Sequence, residues 1–224
     1  MTDPVEPRPR SPRGSGDQLA AEIIDATTEL LISLGSADAV SIRAVAQRVG
    51  VTAPSIYRHF DDKDELLDAV CAHYFERLAD VMMQASEGVA DLWDRALAQG
   101  LAYIRFAIDN DVVYRTAFVR ITEPGRPSKT DEMLLSSAFV YFSDTVEQMM
   151  AQGVLEPGDP VTTVMKLWSA AHGFASLMIS KPGLPWGDGL ELAELTLRAV
   201  ADGMVAQAAA HPNDARNAHS VKNR

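Results

Sequence analysis

SIRAVAQRVGVTAPSIYRHFDDK, residues 41–63, decides the fold. Ile42, Val45, Ala46 and Val49 recur at helical spacing behind Ser41, a hydroxyl residue suited to capping a first turn. Gly50 follows where the chain must reverse, and a residue without Cβ adopts positive φ at little cost. A second short helix is expected over 53–59, because Pro54 is tolerable only in a first turn. Two short helices around a glycine turn form the helix-turn-helix pattern. Ile42, Ala46, Val49, Val51, Ile56 and Phe60 are expected to pack the pair onto a preceding helix. Ser41, Arg43, Thr52, Ser55, Tyr57, Arg58, His59 and Lys63 are then left facing outward. Hydroxyls, cations and an imidazole are the groups that contact phosphate oxygens and base edges.

On the N-terminal side, Leu19, Ile23, Thr27, Leu30, Leu31 and Leu34 stripe a helix over 17–34, with Gly35 placed to end it. Downstream, Asp62 and Glu65 stand at capping-box spacing, and Leu66, Val70, Tyr74, Leu78 and Val81 carry a helix to about 85. Five longer helices follow at 91–109, 111–121, 131–152, 160–180 and 188–209, broken most clearly at 123–129 and 181–187. No run of alternating β-branched residues bounded by turn pairs suggests a strand. The expected fold is all-α with about nine helices. A helix-turn-helix head at 17–65 precedes a larger helical body at 66–210, and the polar segments 1–16 and 211–224 read as a disordered arm and tail.

The 224 residues are 47% hydrophobic and 23% charged, enough for a sizeable core and too apolar for a disordered chain. No stretch approaches the roughly 18 charge-free apolar residues of a membrane span. The N-terminus lacks an apolar signal region, so the expected location is cytoplasmic. The single cysteine, Cys71, excludes an internal disulfide and a multi-cysteine zinc site, and reads as a small core hydrophobe. No metal or cofactor is expected.

A net charge of −11 argues against indiscriminate nucleic-acid binding. Locally the balance reverses: residues 41–60 hold three arginines and no acid, although Asp61 and Asp62 border them. The acidity lies mostly elsewhere, with thirteen basic and twenty acidic residues in 67–224. Such a field leaves affinity to a small matched surface. Arg8, Arg10 and Arg13 in the arm suit either a solubilising tail or an arm that enters a minor groove.

Ser41, Val45, Ala46, Gly50, Val51, Thr52, Ile56, Tyr57, His59, Phe60 and Lys63 together resemble the DNA-binding domain of the tetracycline-repressor (TetR) family of bacterial regulators, over about residues 17–70. The resemblance implies a homodimer, an all-helical body with a variable ligand pocket, and repression relieved by ligand. It places the DNA contacts on Ala53, Pro54, Ser55, Tyr57, Arg58 and His59. Arg43 and Thr52 would flank them, Ser41 would stand at the head of the first helix, and Lys63 would reach a phosphate. Position 53 is often polar or basic in the family; Ala53 favours methyl contact with thymine over hydrogen-bonded readout.

In the body, LWSAAHGFASLM (167–178) resembles the Trp-x-x-x-His-Gly signature of one TetR ligand-domain subgroup. Trp168 and His172, four apart, share a helix face. His172 reads as a satisfied core histidine, as a neighbour of the dimer helix, or as a ligand contact; no second donor stands at metal-ligand spacing. A pocket is expected among helices 91–109, 111–121, 131–152 and 160–180. Its expected lining is Tyr103, Phe106, Phe118, Phe142, Met149, Trp168 and His172, with Tyr103 and His172 as polar handles. The resemblance places a two-fold, four-helix dimer interface on 160–180 and 188–209, where Leu192, Leu195, Thr196, Ala199, Val200 and Gly203 form a stripe. Ordinary packing within the chain would give the same pattern.

The expected function is that of a DNA-binding regulator, a repressor released from a palindromic operator in double-stranded DNA by a small hydrophobic effector. Activation is a variant of the same reading. An enzyme is disfavoured, since no nucleophile–base pair, metal set or phosphate loop appears. A ligand-binding module that has lost DNA binding is the other rival, supported by Ala53 and the acidic charge balance.

Overall fold

The computed structural model describes residues 16–119, 132, 134, 135 and 137–210. The arm with Arg8, Arg10 and Arg13, the segment 123–129 and the tail 211–224 lie outside the described residues. Nine helices run through those described, and no strand occurs among them: α1 (Gly16–Leu34), α2 (Ile42–Val49), α3 (Ala53–Ile56), α4 (Lys63–Ser86), α5 (Leu92–Asp109), α6 (Asp111–Val119), α7 (Ala138–Ala151), α8 (Pro160–Ser180) and α9 (Gly189–Ala210).

Aspartates start four of the helices, α4, α5, α8 and α9. Asp62 Oδ1 accepts from the Glu65 amide at 2.8 Å, and Asp91 Oδ1 from those of Trp93 and Asp94 at 2.9 and 3.0 Å. Asp159 Oδ2 accepts from the Thr162 amide at 3.1 Å, ahead of Pro160, and Asp188 Oδ1 from Leu190 and Glu191 at 3.0 and 3.1 Å. Each cap satisfies orphan donors, sets a negative charge at the positive end of the helix dipole, and contributes about 1 kcal/mol. The capping box at Asp62 is skewed by one residue: Glu65 Oε2 reaches back to the amide of Asp61 at 2.6 Å.

The chain divides into two compact units. One comprises described residues 16–75 and 110–119, the other 76–109 and 134–210. The division falls inside α4, after Phe75.

In the first unit, α1 packs on α2 and α6, and α2 on α3. Ile23, Leu31, Val45 and Ile56 are fully buried at its centre. Thr27 is fully buried too, its hydroxyl satisfied by the carbonyl of Ile23 at 2.7 Å. Phe75 meets Tyr74 and Phe118 edge-on, at 5.3 and 5.6 Å between ring centroids, and Tyr114 lies 4.8 Å from Phe118. Cys71 is buried here, as is Tyr74, whose phenol burial holds protonated by raising its pKa. Leu34, expected on the buried stripe, is instead exposed at the last turn of α1.

In the second unit, α5 packs against α7, α8 and α9, and α8 packs on both α7 and α9. A polar cluster sits inside it: the Gln99 amide donates to Ser86 Oγ at 3.3 Å and Thr145 Oγ1 at 2.9 Å. Ser86 is also hydrogen bonded to Tyr141 at 3.0 Å. Gly153, at φ 72°, ends α7 as its sequence position suggested. Of the helix expected over 131–152, the stretch followed without interruption begins at Ala138.

A candidate nucleic-acid surface and a candidate ligand cavity

The helix-turn-helix is built as its sequence requires. Ser41 Oγ caps α2 by accepting from the Ala44 amide at 3.2 Å. Gly50 takes φ 76° and ψ 32°, the left-handed conformation that ends α2 cheaply only without a Cβ. The amides of Gly50 and Val51 both donate to the Ala46 carbonyl, at 3.0 and 2.9 Å.

α3 stops at Ile56, three residues short of the expected 53–59. Tyr57 has ψ −7°, and the His59 amide turns back to the Ile56 carbonyl at 2.8 Å. This tight turn delivers Phe60 into the core, where it is buried. The expected contacts therefore sit on one helical turn plus its exit. Tyr57 is 51% exposed, Arg58 is exposed and His59 half-buried. Ala53 and Ser55 are half-buried; Pro54, Thr52, Ser41 and Arg43 are exposed.

Several of these groups already have partners. Thr52 Oγ1 and Ser55 Oγ share a hydrogen bond of 3.0 Å. Lys63 Nζ donates to the Asp38 carbonyl at 3.2 Å, tying the α1–α2 loop to the start of α4. Of the three motif arginines, Arg48 is paired with Glu29 through Nε at 3.1 Å and Nη2. Neither Arg43 nor Arg58 forms an ion pair among the described residues. This surface therefore offers two uncompensated guanidinium groups, a phenol and an imidazole.

The second unit holds a partly open cavity of about 480 Å³. Aromatic rings from three helices line it: Trp93 and Tyr103 of α5, Phe139 and Phe142 of α7, and Trp168 of α8. Small residues leave the space, namely Ala96, Ala138, Ala171 and Ala201, while Gly100 lets Leu197 of α9 pack closely, a Cβ there standing only 2.9 Å from Leu197 Cδ1. Met82 closes one side from α4, and Leu197, Arg198, Asp202 and Val205 another from α9. The volume is that of a site for a drug-sized ligand.

Tyr103, Phe142 and Trp168 thus stand in the wall as expected, whereas Phe106, Phe118, Met149 and His172 are not among the lining residues. Phe106 is buried elsewhere, with the Arg77 guanidinium 5.9 Å from its ring centroid. Phe118 belongs to the first unit, packed on Phe75 and Tyr114, because α6 joins that core. Met149 is fully buried. His172 lies behind the wall: its Nδ1 is hydrogen bonded to the Tyr103 hydroxyl at 2.9 Å, and its ring centroid is 5.1 Å from that of Trp168. Partial burial lowers its pKa, favouring neutral imidazole. Sequence reading missed Gln99 and the wall that α9 supplies.

α9 presents two faces. Ala193 and Leu197 are buried. Leu192, Leu195, Ala199 and Gly203 are exposed, with Thr196 and Val200 half-buried beside them. Leu195 is 59% exposed, and on α8 Val161, Met165 and Leu177 are exposed as well. Among the described residues no three His, Cys, Asp or Glu side chains converge on a metal position, and no helix is long and apolar enough to cross a membrane.

Residues 23–70 match the bacterial regulatory proteins of the tetR family, and residues 96–200 match the tetracyclin repressor-like C-terminal domain. The HTH-type transcriptional repressor Rv3405c of Mycobacterium tuberculosis is 38% identical over 96 residues, 43% of this chain and 49% of the relative. The chain spans about half the length of the curated relatives it matches. The transcriptional regulator FadR of Bacillus subtilis, solved with stearoyl-CoA, superposes with a TM-score of 0.68 at 15% identity, covering 82% of this chain and 98% of that one. RolR, solved with resorcinol, gives 0.66 at 15% identity, covering 85% and 89%. At these identities the likeness is one of fold.

Proposed function

Because the chain is built from the two domains of a TetR-family transcriptional regulator, we propose that it is a repressor released from a palindromic operator by a small hydrophobic effector. The observation that carries this reading is the α3 turn, which exposes Tyr57 and Arg58 beside Arg43 while Ile56 and Phe60 anchor it from beneath. In a major groove, Tyr57, His59 and Arg58 would meet base edges and phosphates, with Ala53 and Pro54 offering apolar contact to thymine methyls. Ser41, Arg43, Thr52, Ser55 and Lys63 would flank them at the backbone. Lys63 would release or share its carbonyl partner to do so.

The exposed apolar side of α9, with Leu192, Leu195, Thr196, Ala199, Val200 and Gly203, would pair with its copy in a homodimer, joined by α8. A two-fold dimer places two recognition turns about 34–36 Å apart on one side of the duplex, which is why the operator would be palindromic. The run of Trp168, His172 and Gly173 supports a body of the Trp-His-Gly subgroup.

The cavity would hold the effector, whose chemistry follows from its wall: apolar, aromatic and compact. Release requires tighter effector binding by the conformer that does not fit DNA, and affinity alone shifts nothing. α4 contributes Met82 to the cavity and residues 63–75 to the DNA-binding unit, so it would carry the shift. The test is gel retardation of the DNA upstream of the protein's own gene at low salt. A discrete retarded complex is expected; no retardation at micromolar dimer would overturn the reading.

A further inference from the structure

The polar groups in the cavity wall differ in kind at its two sides. On α9, Arg198 and Asp202 are exposed, and Arg198 is already paired with Glu194 at 2.9 Å. On α5, Tyr103 is almost wholly buried and its hydroxyl is held at 2.9 Å by His172 Nδ1. His172 itself stays out of the wall, yet it touches two aromatics that form it, Tyr103 and Trp168. It comes from α8, so one imidazole fixes the phenol of one helix and packs against the indole of its own.

Resting on the reading of this cavity as the effector site, we propose that the Tyr103–His172 pair reads an uncharged hydroxyl or carbonyl on a ring-bearing effector, with His172 as the positioning residue. A phenol oxygen can take part in more than one hydrogen bond, and His172 fixes the direction of one. Partial burial lowers the pKa of the imidazole, and among the described residues Tyr103 and His172 bring no fixed charge to this side to pair with an ionised ligand. A carboxylate set against it would lose its hydration without gaining a counter-ion. The effector class is therefore an uncharged phenol, alcohol or ketone on a ring skeleton that fills the aromatic cage.

Isothermal titration calorimetry on the full chain tests this with 4-tert-butylphenol, tert-butylbenzene and 4-tert-butylbenzoate. The phenol is expected to bind about tenfold tighter than the hydrocarbon, the size of one net hydrogen bond, and tighter than the benzoate. Tyr103→Phe should bring the phenol-to-hydrocarbon ratio to about one. His172→Ala should lower the same ratio without touching the ligand, and His172→Gln, which keeps a hydrogen-bonding group, should restore part of it. Tyr103→Phe and His172→Gln keep volume, so the comparison survives if His172→Ala fails to fold. A ratio unchanged in both Tyr103→Phe and His172→Gln, or a preference for the benzoate, overturns the proposal while leaving the cavity reading intact. Absence of binding by all three compounds at millimolar concentration, or binding undiminished by the cavity-filling Ala138→Trp, overturns the cavity reading and this inference with it.

Discussion

In the first unit a four-residue helix and its exit expose chemistry; in the second, long helices close around a space. The exit of α3 presents what protrudes, Tyr57 and Arg58, while Ile56 at the end of the helix is fully buried. The cavity is defined by what is missing: Ala96, Ala138, Ala171 and Ala201 stand in the wall of the 480 Å³ where larger side chains would reach in. A protruding site is a set of positions and is written at fixed spacing. A hollow is a remainder of packing, and no single residue spells it.

The largest effect that would sharpen this contrast concerns a third surface. Leu195→Asp sets a charge on the exposed stripe of α9, twice in a symmetric interface. Sedimentation should show the dimer weakened by about a thousandfold, on the order of 4 kcal/mol, with operator binding lost alongside it. A dimer unaffected by this change would move the interface elsewhere.

Gly50→Val comes next. A β-branched residue at φ 76° costs about 1–3 kcal/mol, to be read as a lower urea midpoint. Operator affinity should fall with it, because the turn aims α3. An unchanged midpoint would mean that the turn relaxes freely and does not define the surface.

Arginines that look alike in the sequence should then separate. Arg58→Ala should lower the salt dependence of operator binding by about one unit of slope, as loss of one phosphate contact does. Arg48→Ala should leave the slope alone, since that guanidinium already holds Glu29, an exposed pair contributing about 0–1 kcal/mol to stability. Equal slopes for the two variants would erase the distinction the ion pair draws.

The smallest effect lies inside the second unit. Gln99 is fully buried, and its Oε1 lacks a hydrogen-bond partner among the described residues. Gln99→Leu removes that stranded acceptor together with two donated bonds, so thermal stability should stay within about 1 kcal/mol of the parent. A loss of several kcal/mol would show that the polar cluster around Ser86 and Thr145 acts as a unit.

The head was largely legible because each step had a local cause: Ser41 as cap, Gly50 as reversal, alternating burial of Ile56 and Phe60 with exposure of Tyr57 and Arg58. Its error was the length of α3, since the inward turn needed to bury Phe60 is a tertiary demand. In the body, helix periodicity located the helices but not their facing. Tyr103, Phe142 and Trp168 reach the hollow, while Phe106 and Met149 are buried away from it and Phe118 belongs to the other core. The alanines that leave the space give no sign of it in sequence, since alanine is the best helix former anywhere on a helix. His172 was visible as a polar oddity, but its role behind Tyr103 depends on a pairing sixty-nine residues apart.

The central claim is that the α3 turn docks in duplex DNA. Fluorescence anisotropy with the operator, for the parent and for the double substitution Tyr57→Ala with His59→Ala, tests it most directly. Tyr57 is exposed and His59 half-buried. The account predicts operator binding weakened by about a hundredfold or more, the equivalent of about 3 kcal/mol, with dimer mass and melting temperature unchanged. Affinity within about threefold of the parent, at matched salt, would contradict it.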